Sequence, residues 1–253
     1  MTNSTEMRLS KYIILATTLL SLSGCNLFDN LSASLFQRNI DTDNLEGFSY
    51  ESHETPTGSQ INYELLKPAD YRNDQSYPLI IILSDKPVGN HKLAELLVTD
   101  QFRDSFPAYI LAPDIPEAER WNTDEYQRLK ASIDLFDHFI SMNDIDYVVL
   151  VGESSGAVAA LEALSIDPSL YDRSVIVGPL LKDSLVKNYS QIKNSTIWIW
   201  GSSKLKHSNN LANQLAQNLR KNNDVRVTNL DKTLDQIPSE VFQNPIVWDW
   251  IVK

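Results

Sequence analysis

Cysteine is nearly absent from this 253-residue chain, which contains only Cys25. One cysteine excludes an intramolecular disulfide, and the four histidines are too scattered to complete a structural zinc site with it. Lys and Arg are also scarce, since 22 of them face 33 Asp and Glu to give a formal net charge of −11. Nucleic-acid binding depends on clustered Lys and Arg, so this balance argues against a nucleic-acid partner. The eight glycines form no loop that could hold a phosphate, and the chain predicts no cofactor.

Long hydrophobic runs are lacking too, and only the first 24 residues have the pattern of a membrane-directed segment. Arg8 and Lys11 precede an apolar stretch from Tyr12 to Leu22. That stretch is too short to span a hydrocarbon core of about 30 Å, and its charge order is typical of a secretory signal. We therefore predict a signal peptide over residues 1–24, with translation starting at Met1 or Met7.

The signal ends at Leu22-Ser23-Gly24-Cys25, which resembles the lipobox of bacterial lipoproteins. The resemblance implies that Cys25 is acylated and anchors the mature chain in a membrane, since each buried CH₂ contributes about 0.8 kcal/mol. Asn26 follows rather than Asp, which by resemblance to the sorting rule of Gram-negative cells implies the outer membrane, facing the periplasm. An ordinary signal peptide ending at an unpaired cysteine is the alternative. Residues 25–46, rich in Asn, Asp and Ser, are predicted to be a tether.

A hairpin is predicted at the start of the folded region. Phe48 to Glu54 and Gln60 to Lys67 alternate on either side of Pro56-Thr57-Gly58, which is typical of an antiparallel pair. From Tyr77 onward the apolar runs become short and continuous, which indicates strands covered on both faces, as in a parallel sheet. These runs are Pro78–Leu83, Ala108–Ala112, Tyr147–Val151, Ser174–Val177, Thr196–Trp200 and Val225–Thr228.

Helical patterns separate these runs. Strands that alternate with helices imply right-handed crossovers between parallel strands. The sequence therefore predicts an α/β fold, with a doubly wound, mainly parallel sheet and an N-terminal antiparallel hairpin, in one domain over residues 47–253. The predicted helices are Lys92–Phe102, Thr123–Ser141, Ser155–Ile166, Asn209–Lys221 and Glu240–Val252.

A candidate nucleophile lies in Gly152-Glu153-Ser154-Ser155-Gly156, which follows one predicted strand and opens a predicted helix. A serine at the tip of such a turn is exposed and has small residues on either side, as a nucleophile elbow requires. Ser154 is the candidate nucleophile, and the N–H of Ser155 at the helix N-terminus is the candidate donor to an oxyanion. An ordinary tight turn in which Ser154 or Ser155 caps the helix is the alternative.

The order of these features resembles the esterase and prolyl-oligopeptidase-like branch of the α/β-hydrolases. Beside the elbow, the resemblance rests on Lys67-Pro68-Ala69-Asp70-Tyr71, on Phe106-Pro107-Ala108-Tyr109 and on Trp248-Asp249-Trp250-Ile251. It covers roughly residues 47–253. It implies a serine hydrolase lineage whose members cleave carboxylic esters or peptide bonds through an acyl-enzyme intermediate.

Two positions depart from the pattern that this resemblance implies. The strand Pro78–Leu83 should end in His-Gly, which completes the oxyanion hole, and it is followed instead by Ser84-Asp85. A carboxylate there opposes a developing negative charge, and losing one donor of such a hole typically lowers the rate by about 10²–10³. The acid should follow Thr196–Trp200, where the chain reads Gly201-Ser202-Ser203-Lys204. Without an orienting acid, a histidine base loses its favoured tautomer.

The base is the third departure. The resemblance implies a histidine near Asn229–Gln236, a loop that contains none. A serine hydroxyl with no base within about 3 Å is a poor nucleophile at neutral pH. His207 is the only histidine downstream of Ser154. It is interpreted as a surface residue that begins a helix. The alternative is a rearranged catalytic set in which His207 is the base and Asp231 or Asp235 is the acid. His91 could also face the pocket, whereas His53 and His138 are predicted to be surface residues.

Two functions remain open from the sequence. The first is a cell-envelope lipoprotein with an α/β-hydrolase fold that binds a ligand or partner and is catalytically impaired. The second is an active serine hydrolase, of carboxylesterase or peptidase type, that uses Ser154 with a non-standard base. Its partners are predicted to be a membrane, through the N-terminal lipid, and a small ester or peptide-like molecule. The sequence does not indicate a protein partner.

Overall fold

The computed structural model describes residues 47–84, 92–114, 127–181 and 188–252. The predicted signal peptide, the acylation site at Cys25 and the tether lie outside the described residues, as do Asp85 and His91. These predictions therefore stay predictions. Among the described residues, no helix is both long and apolar enough to cross a bilayer.

An eight-stranded sheet runs through the described part of the chain, in the order β1-β2-β4-β3-β5-β6-β7-β8. The first two strands form an antiparallel hairpin, and β2 also pairs antiparallel with β4. All the other neighbours are parallel. The strands are β1 Phe48–Glu54, β2 Gln60–Leu66, β3 Tyr77–Leu83, β4 Tyr109–Pro113, β5 Ile145–Glu153, β6 Arg173–Val177, β7 Thr196–Ser202 and β8 Asp224–Leu230.

Seven α-helices lie in the described ranges and cover both faces of the sheet. They are α1 Lys92–Leu97, α2 Asp100–Ser105, α3 Gln127–Met142, α4 Ser155–Ile166, α5 Lys206–Leu219, α6 Ile237–Phe242 and α7 Pro245–Val252. Helices α3, α4 and α5 contribute buried residues to the core on one face. Helices α1, α6 and α7 pack on the other.

The buried strands explain why this sequence forms a two-sided core. Every residue of β3 is buried, because Leu79, Ile81 and Leu83 face one core and Ile80 and Ile82 face the other. Continuous apolar runs are thus what a sheet covered on both faces requires. Each buried aliphatic side chain of this size stabilises the fold by roughly 1.5–3 kcal/mol relative to an exposed one. The predicted fold class, an α/β sheet with an N-terminal antiparallel hairpin, is confirmed.

Two of the predicted helices are wrong as single elements. The helix predicted over Lys92–Phe102 is divided into α1 and α2, because Thr99 is extended and its hydroxyl accepts the N–H of Phe102 as the N-cap of α2. The helix predicted over Glu240–Val252 is divided into α6 and α7. Helical backbone is disfavoured at a residue that precedes proline, so the helix is interrupted at Asn244 and α7 begins at Pro245.

Candidate nucleophile site

Ser154 occupies the tip of the turn between β5 and α4. Its backbone has φ 59° and ψ −115°, a region that residues with a side chain rarely adopt. The turn is held by the Ser154 N–H, which donates to the carbonyl of Val177 at the end of β6 over 3.0 Å. The serine therefore stands at the carboxyl edge of the sheet in the strained conformation that a nucleophile elbow needs.

The two glycines of the motif are required by close backbone contacts. A Cβ on Gly156 would lie 2.0 Å from the Leu83 carbonyl oxygen and 2.6 Å from the Ser84 nitrogen. A Cβ on Gly152 would lie 2.6 Å from the Gly156 carbonyl oxygen and 2.7 Å from the Ala157 Cα. Since real Cβ atoms do not approach backbone this closely, the glycines let α4 begin directly against the ends of β3 and β5.

Substituting Ser154 by glycine tests whether the turn is strained. Glycine adopts positive φ without a steric penalty, so Ser154→Gly releases the strain of the turn. Glycine also increases the entropy of the unfolded chain, which offsets part of this gain. We therefore expect the free energy of unfolding to rise by about 1 kcal/mol. Ser154→Ala keeps the strain and should change stability by less than about 0.5 kcal/mol. Urea denaturation measures both changes. Equal stabilities for the two variants would show that the turn stores no strain.

The oxyanion side of the site is partly described. Ser155 is the first residue of α4, where helix geometry gives its N–H no acceptor in the helix. The predicted role of that N–H as an oxyanion donor is compatible with this position and stays a prediction. The Ser155 hydroxyl is buried and has no hydrogen-bond partner in the described structure. Ser84 is buried at the end of β3, and Asp85 lies beyond the described residues.

Lys204 stands at the position that the resemblance implies for the acid, and the two serines before it bind the loop after β8. Strand β7 extends to Ser202, whose side chain is fully buried. Its hydroxyl donates to the carbonyl of Lys232 over 2.5 Å, and the N–H of Ser203 donates to the carbonyl of Leu230 over 2.8 Å. The Ser202 hydroxyl and the Ser203 N–H therefore attach the loop after β8 to the end of β7, and neither serine presents a carboxylate.

Leu234, in the loop after β8, lies beside Gly178. Leu234 Cδ2 lies 3.6 Å from the position of a Cβ on Gly178, the residue that follows Val177. Leu234 is half-buried and packs against the core under α6 and α7. Asp231 and Asp235, the candidate acids of this loop, have exposed side chains. An apolar side chain thus lies next to the segment that holds the Ser154 backbone.

The described histidines lie in two places. His207, the candidate base, is exposed in the first turn of α5, which follows β7 at the same sheet edge as Ser154. His53 is on β1, four strands from β5 or about 19 Å across the sheet. Its ring stacks on His138 with centroids 4.7 Å apart, and its Nε2 lies 2.9 Å from Asp134 Oδ2. The prediction of a surface residue is wrong for His53, whose side chain is only 12% exposed.

Sequence reasoning identified Ser154 and missed Ser202 and Leu234. A local motif marks the elbow, whereas the two other residues become notable only once β7 and the loop after β8 are paired. The alternation of Trp198, Trp200 and Ser202 on β7 is the signal that could have placed Ser202 beside the next loop. No group of three metal-ligating side chains occurs among the described residues.

Comparison with solved structures supports the architecture. The chain superposes on a thermostable esterase with a TM-score of 0.67 and 21% identity, over 82% of this chain and 63% of the esterase. It also matches an IroE-like serine hydrolase from Shewanella oneidensis, with a TM-score of 0.57 and 16% identity, over 78% of this chain and 80% of that one. An esterase from Pyrococcus furiosus matches with a TM-score of 0.56 and 14% identity, over 81% and 90% of the two chains.

Sequence comparison adds no closer relationship. No protein-family model matches the chain, and no curated protein matches it. The chain spans less than two thirds of the length of the thermostable esterase. The strand order, the parallel sheet covered on both faces, the elbow at Ser154 and the structural matches together show that this chain has the α/β-hydrolase fold.

Proposed function

We propose that this protein is a cell-envelope lipoprotein whose α/β-hydrolase domain binds a ligand or partner around Ser154 and turns over substrate poorly or not at all. The observation that carries the proposal is the loop after β8, where Ser202 and Ser203 hold the backbone and Leu234 lies beside Gly178. A base within hydrogen-bond reach contributes about 10²–10⁴-fold to such a reaction. A leucine side chain cannot accept a proton, so Leu234 supplies none of this contribution.

The retained elbow supports a binding role. Backbone strain of about 1–3 kcal/mol persists where the surrounding structure enforces it, and such sites cluster at ligand-binding positions. At Ser154 the strain is enforced by Gly152, by Gly156 and by the hydrogen bond to Val177. The fold neighbours are named as esterases and a serine hydrolase, and a small ester or a peptide-like molecule is therefore the proposed ligand class.

Attachment to a membrane is proposed from Cys25 and its lipobox-like sequence. Replacement of Cys25 by alanine removes the thiol that would carry the lipid. The C25A protein is expected to lose labelling by a palmitate analogue and to move from the membrane fraction to the soluble periplasmic fraction, because a single signal peptide without acylation leaves no permanent anchor. Palmitate labelling of C25A at the wild-type level would contradict this attachment.

Catalytic impairment is tested with the wild-type protein and Ser154→Ala side by side. Both are exposed to a fluorophosphonate probe and to short-chain nitrophenyl esters. We expect ester hydrolysis by the wild type to equal that of S154A, because the proposed site has no base to remove the hydroxyl proton. Labelling and turnover that disappear in S154A would show an active enzyme and overturn the proposal.

An active serine hydrolase is the second candidate, and one observation favours it. The elbow keeps its full geometry, and His207, Asp231 and Asp235 all lie in segments that follow β7 or β8 at the same edge as Ser154. In that case His207→Ala should abolish the same hydrolysis that Ser154→Ala abolishes. Hydrolysis that S154A loses and H207A keeps would require a base other than His207.

A further inference from the structure

Strand β1 is the outermost strand of the sheet on the side of the hairpin. Among the described residues it pairs with β2 alone. Its register with β2 is regular over all 7 residues, from Phe48 opposite Leu66 to Glu54 opposite Gln60. Edge strands often carry a lysine, a proline or a bulge that prevents pairing with another chain, and β1 has none of these. The outer edge of β1 is therefore a template for a further strand.

Alternate residues of β1 direct their backbone groups away from β2. On β2, the Asn62 carbonyl accepts the N–H of Asp114 over 2.8 Å, so the backbone of Asn62 faces β4. Asn62 lies opposite Ser52. In an antiparallel pair, opposed residues either exchange both backbone bonds or exchange none, so the N–H and carbonyl of Ser52 point outward. The same alternation turns the backbone of two further β1 residues outward, Tyr50 and Glu54.

The side chains of β1 favour one register for pairing with a second copy of the same strand. A two-fold axis at Ser52 sets Tyr50 opposite Glu54 of the second copy, and these outward-facing residues can then exchange both backbone bonds. The same register places Glu51 opposite His53 of the second copy, which joins a carboxylate to an imidazole. An axis at Glu51 would instead place two carboxylates directly opposite each other, which is unfavourable.

Both members of the carboxylate and imidazole pair are already oriented within one chain. The two carboxylate oxygens of Glu51 accept the hydroxyls of Ser49 and Tyr63, over 2.8 and 2.9 Å. His53 Nε2 lies 2.9 Å from Asp134 Oδ2. A carboxylate oxygen can accept a second hydrogen bond, and the imidazole keeps its other nitrogen, so the pair can form without breaking these contacts. Side chains that are already held lose less conformational entropy on association.

We propose that β1 is a dimer interface, at which the strand pairs antiparallel with β1 of a second copy of this chain around an axis at Ser52. Main-chain hydrogen bonds supply the affinity of such strand addition, and the opposed side chains select the register. Antiparallel pairing turns the carboxyl edges of the two sheets in opposite directions, so the two Ser154 sites face away from each other. The interface is independent of activity at Ser154, because β1 lies four strands from β5.

A disulfide across the axis tests both the interface and its register. In a Cys25→Ala chain, Ser52→Cys supplies the only thiol. Opposed residues that exchange backbone bonds have Cα atoms about 5.5 Å apart, which is within disulfide range. We expect mild oxidation to convert most of this protein into a disulfide-linked dimer. Ser49→Cys in the same chain is the matched control, because Ser49 is also exposed on β1 and its two copies would lie roughly 20 Å apart.

A proline at position 52 tests the interface without a thiol. Proline is tolerated in an edge strand where its missing N–H would face solvent, so Ser52→Pro is expected to leave the monomer folded and to remove a bond of the dimer. Sedimentation velocity of the Cys25→Ala chain should show a dimer that dissociates on dilution. The same chain with Ser52→Pro should sediment as a monomer, and with Ser52→Ala, which keeps the N–H, as a dimer.

Three results would overturn the proposal. The first is a Cys25→Ala chain that sediments as a monomer at every concentration, and the second is a dimer that a folded S52P protein retains. The third is an S52C protein that cross-links to itself no faster than S49C does, including one that forms a disulfide only with a different protein. If S52P does not fold, the comparison of S52C with S49C decides by itself.

Discussion

Replacing Gly156 by alanine is expected to lower the free energy of unfolding by at least about 3 kcal/mol. The added Cβ would lie 2.0 Å from the Leu83 carbonyl oxygen and 2.3 Å from its carbon. Both atoms belong to the central strand β3 and cannot move aside without displacing the sheet. Alanine is otherwise favoured in a helix by about 1 kcal/mol over glycine, so any loss of stability comes from the steric clash of the added Cβ. Chemical denaturation with matched m-values measures it.

The neighbouring Ser155→Ala is the control for that substitution. The Ser155 hydroxyl is buried without a partner among the described residues, and a buried polar group without a hydrogen bond is unfavourable. S155A should therefore be neutral or more stable, by up to about 1 kcal/mol. A G156A protein as stable as S155A would mean that α4 does not begin against the end of β3.

Replacing Arg173 by methionine is expected to destabilise the protein by about 3 kcal/mol. Arg173 Nη1 donates to the carbonyls of Trp250 and Ile251 over 2.5 and 2.8 Å, near the end of α7. Its guanidinium also lies 5.7 Å from the Trp250 ring centroid. A cation at a helix C-terminus is favourable, and methionine keeps the aliphatic stem while both carbonyls lose a charged donor.

Arg226→Met gives the matched comparison. Arg226 lies over the Trp198 and Trp250 rings, at 5.6 and 5.9 Å, and its side chain is exposed. Its removal should lower stability by about 0.5–1 kcal/mol, the usual size of an exposed cation–π contact. Thermal unfolding of both variants measures the difference. An R173M protein no less stable than R226M would show that the bonds to α7 contribute little.

Most of the fold could be predicted from the sequence because its signals are local and repeated. Continuous apolar runs such as Pro78–Leu83 identify buried parallel strands, and the hairpin turn at Pro56-Thr57-Gly58 fixes the first pair. The helix ends could not be placed as well. The break at Thr99 depends on one side chain that caps the next turn, and a single threonine inside a helical pattern is a weak signal.

The candidate site, like the fold, could be predicted from the sequence only in part. The elbow at Ser154 follows from five consecutive residues, so the sequence predicts it directly. The absence of a histidine in the loop after β8 is likewise visible in the sequence. Which residue of that loop lies beside Gly178 is a long-range property, since it depends on how Ser202 binds Lys232. No local pattern distinguishes Leu234 from Leu230 as the residue beside Gly178.

The strained turn at Ser154 and the loop after β8 belong to different parts of the fold. The strained turn belongs to the sheet, because it is built from β3, β5, β6 and the first residues of α4. The loop after β8 follows the last strand and, under the proposed function, supplies no base. Under the proposed function, loss of the base leaves a folded protein with a half-buried serine at the carboxyl edge of the sheet, which is a suitable starting point for a binding protein.

The rate constant for phosphonylation of Ser154, measured by intact-protein mass spectrometry between pH 5 and pH 9, tests the lack of a base most directly. A hydroxyl without a base should react slowly and show no inflection near the usual imidazole pKa of about 6.5. A rate that rises through that pH and falls to background in His207→Ala would show an imidazole acting on Ser154. That result would contradict an inactive site and leave only the fold.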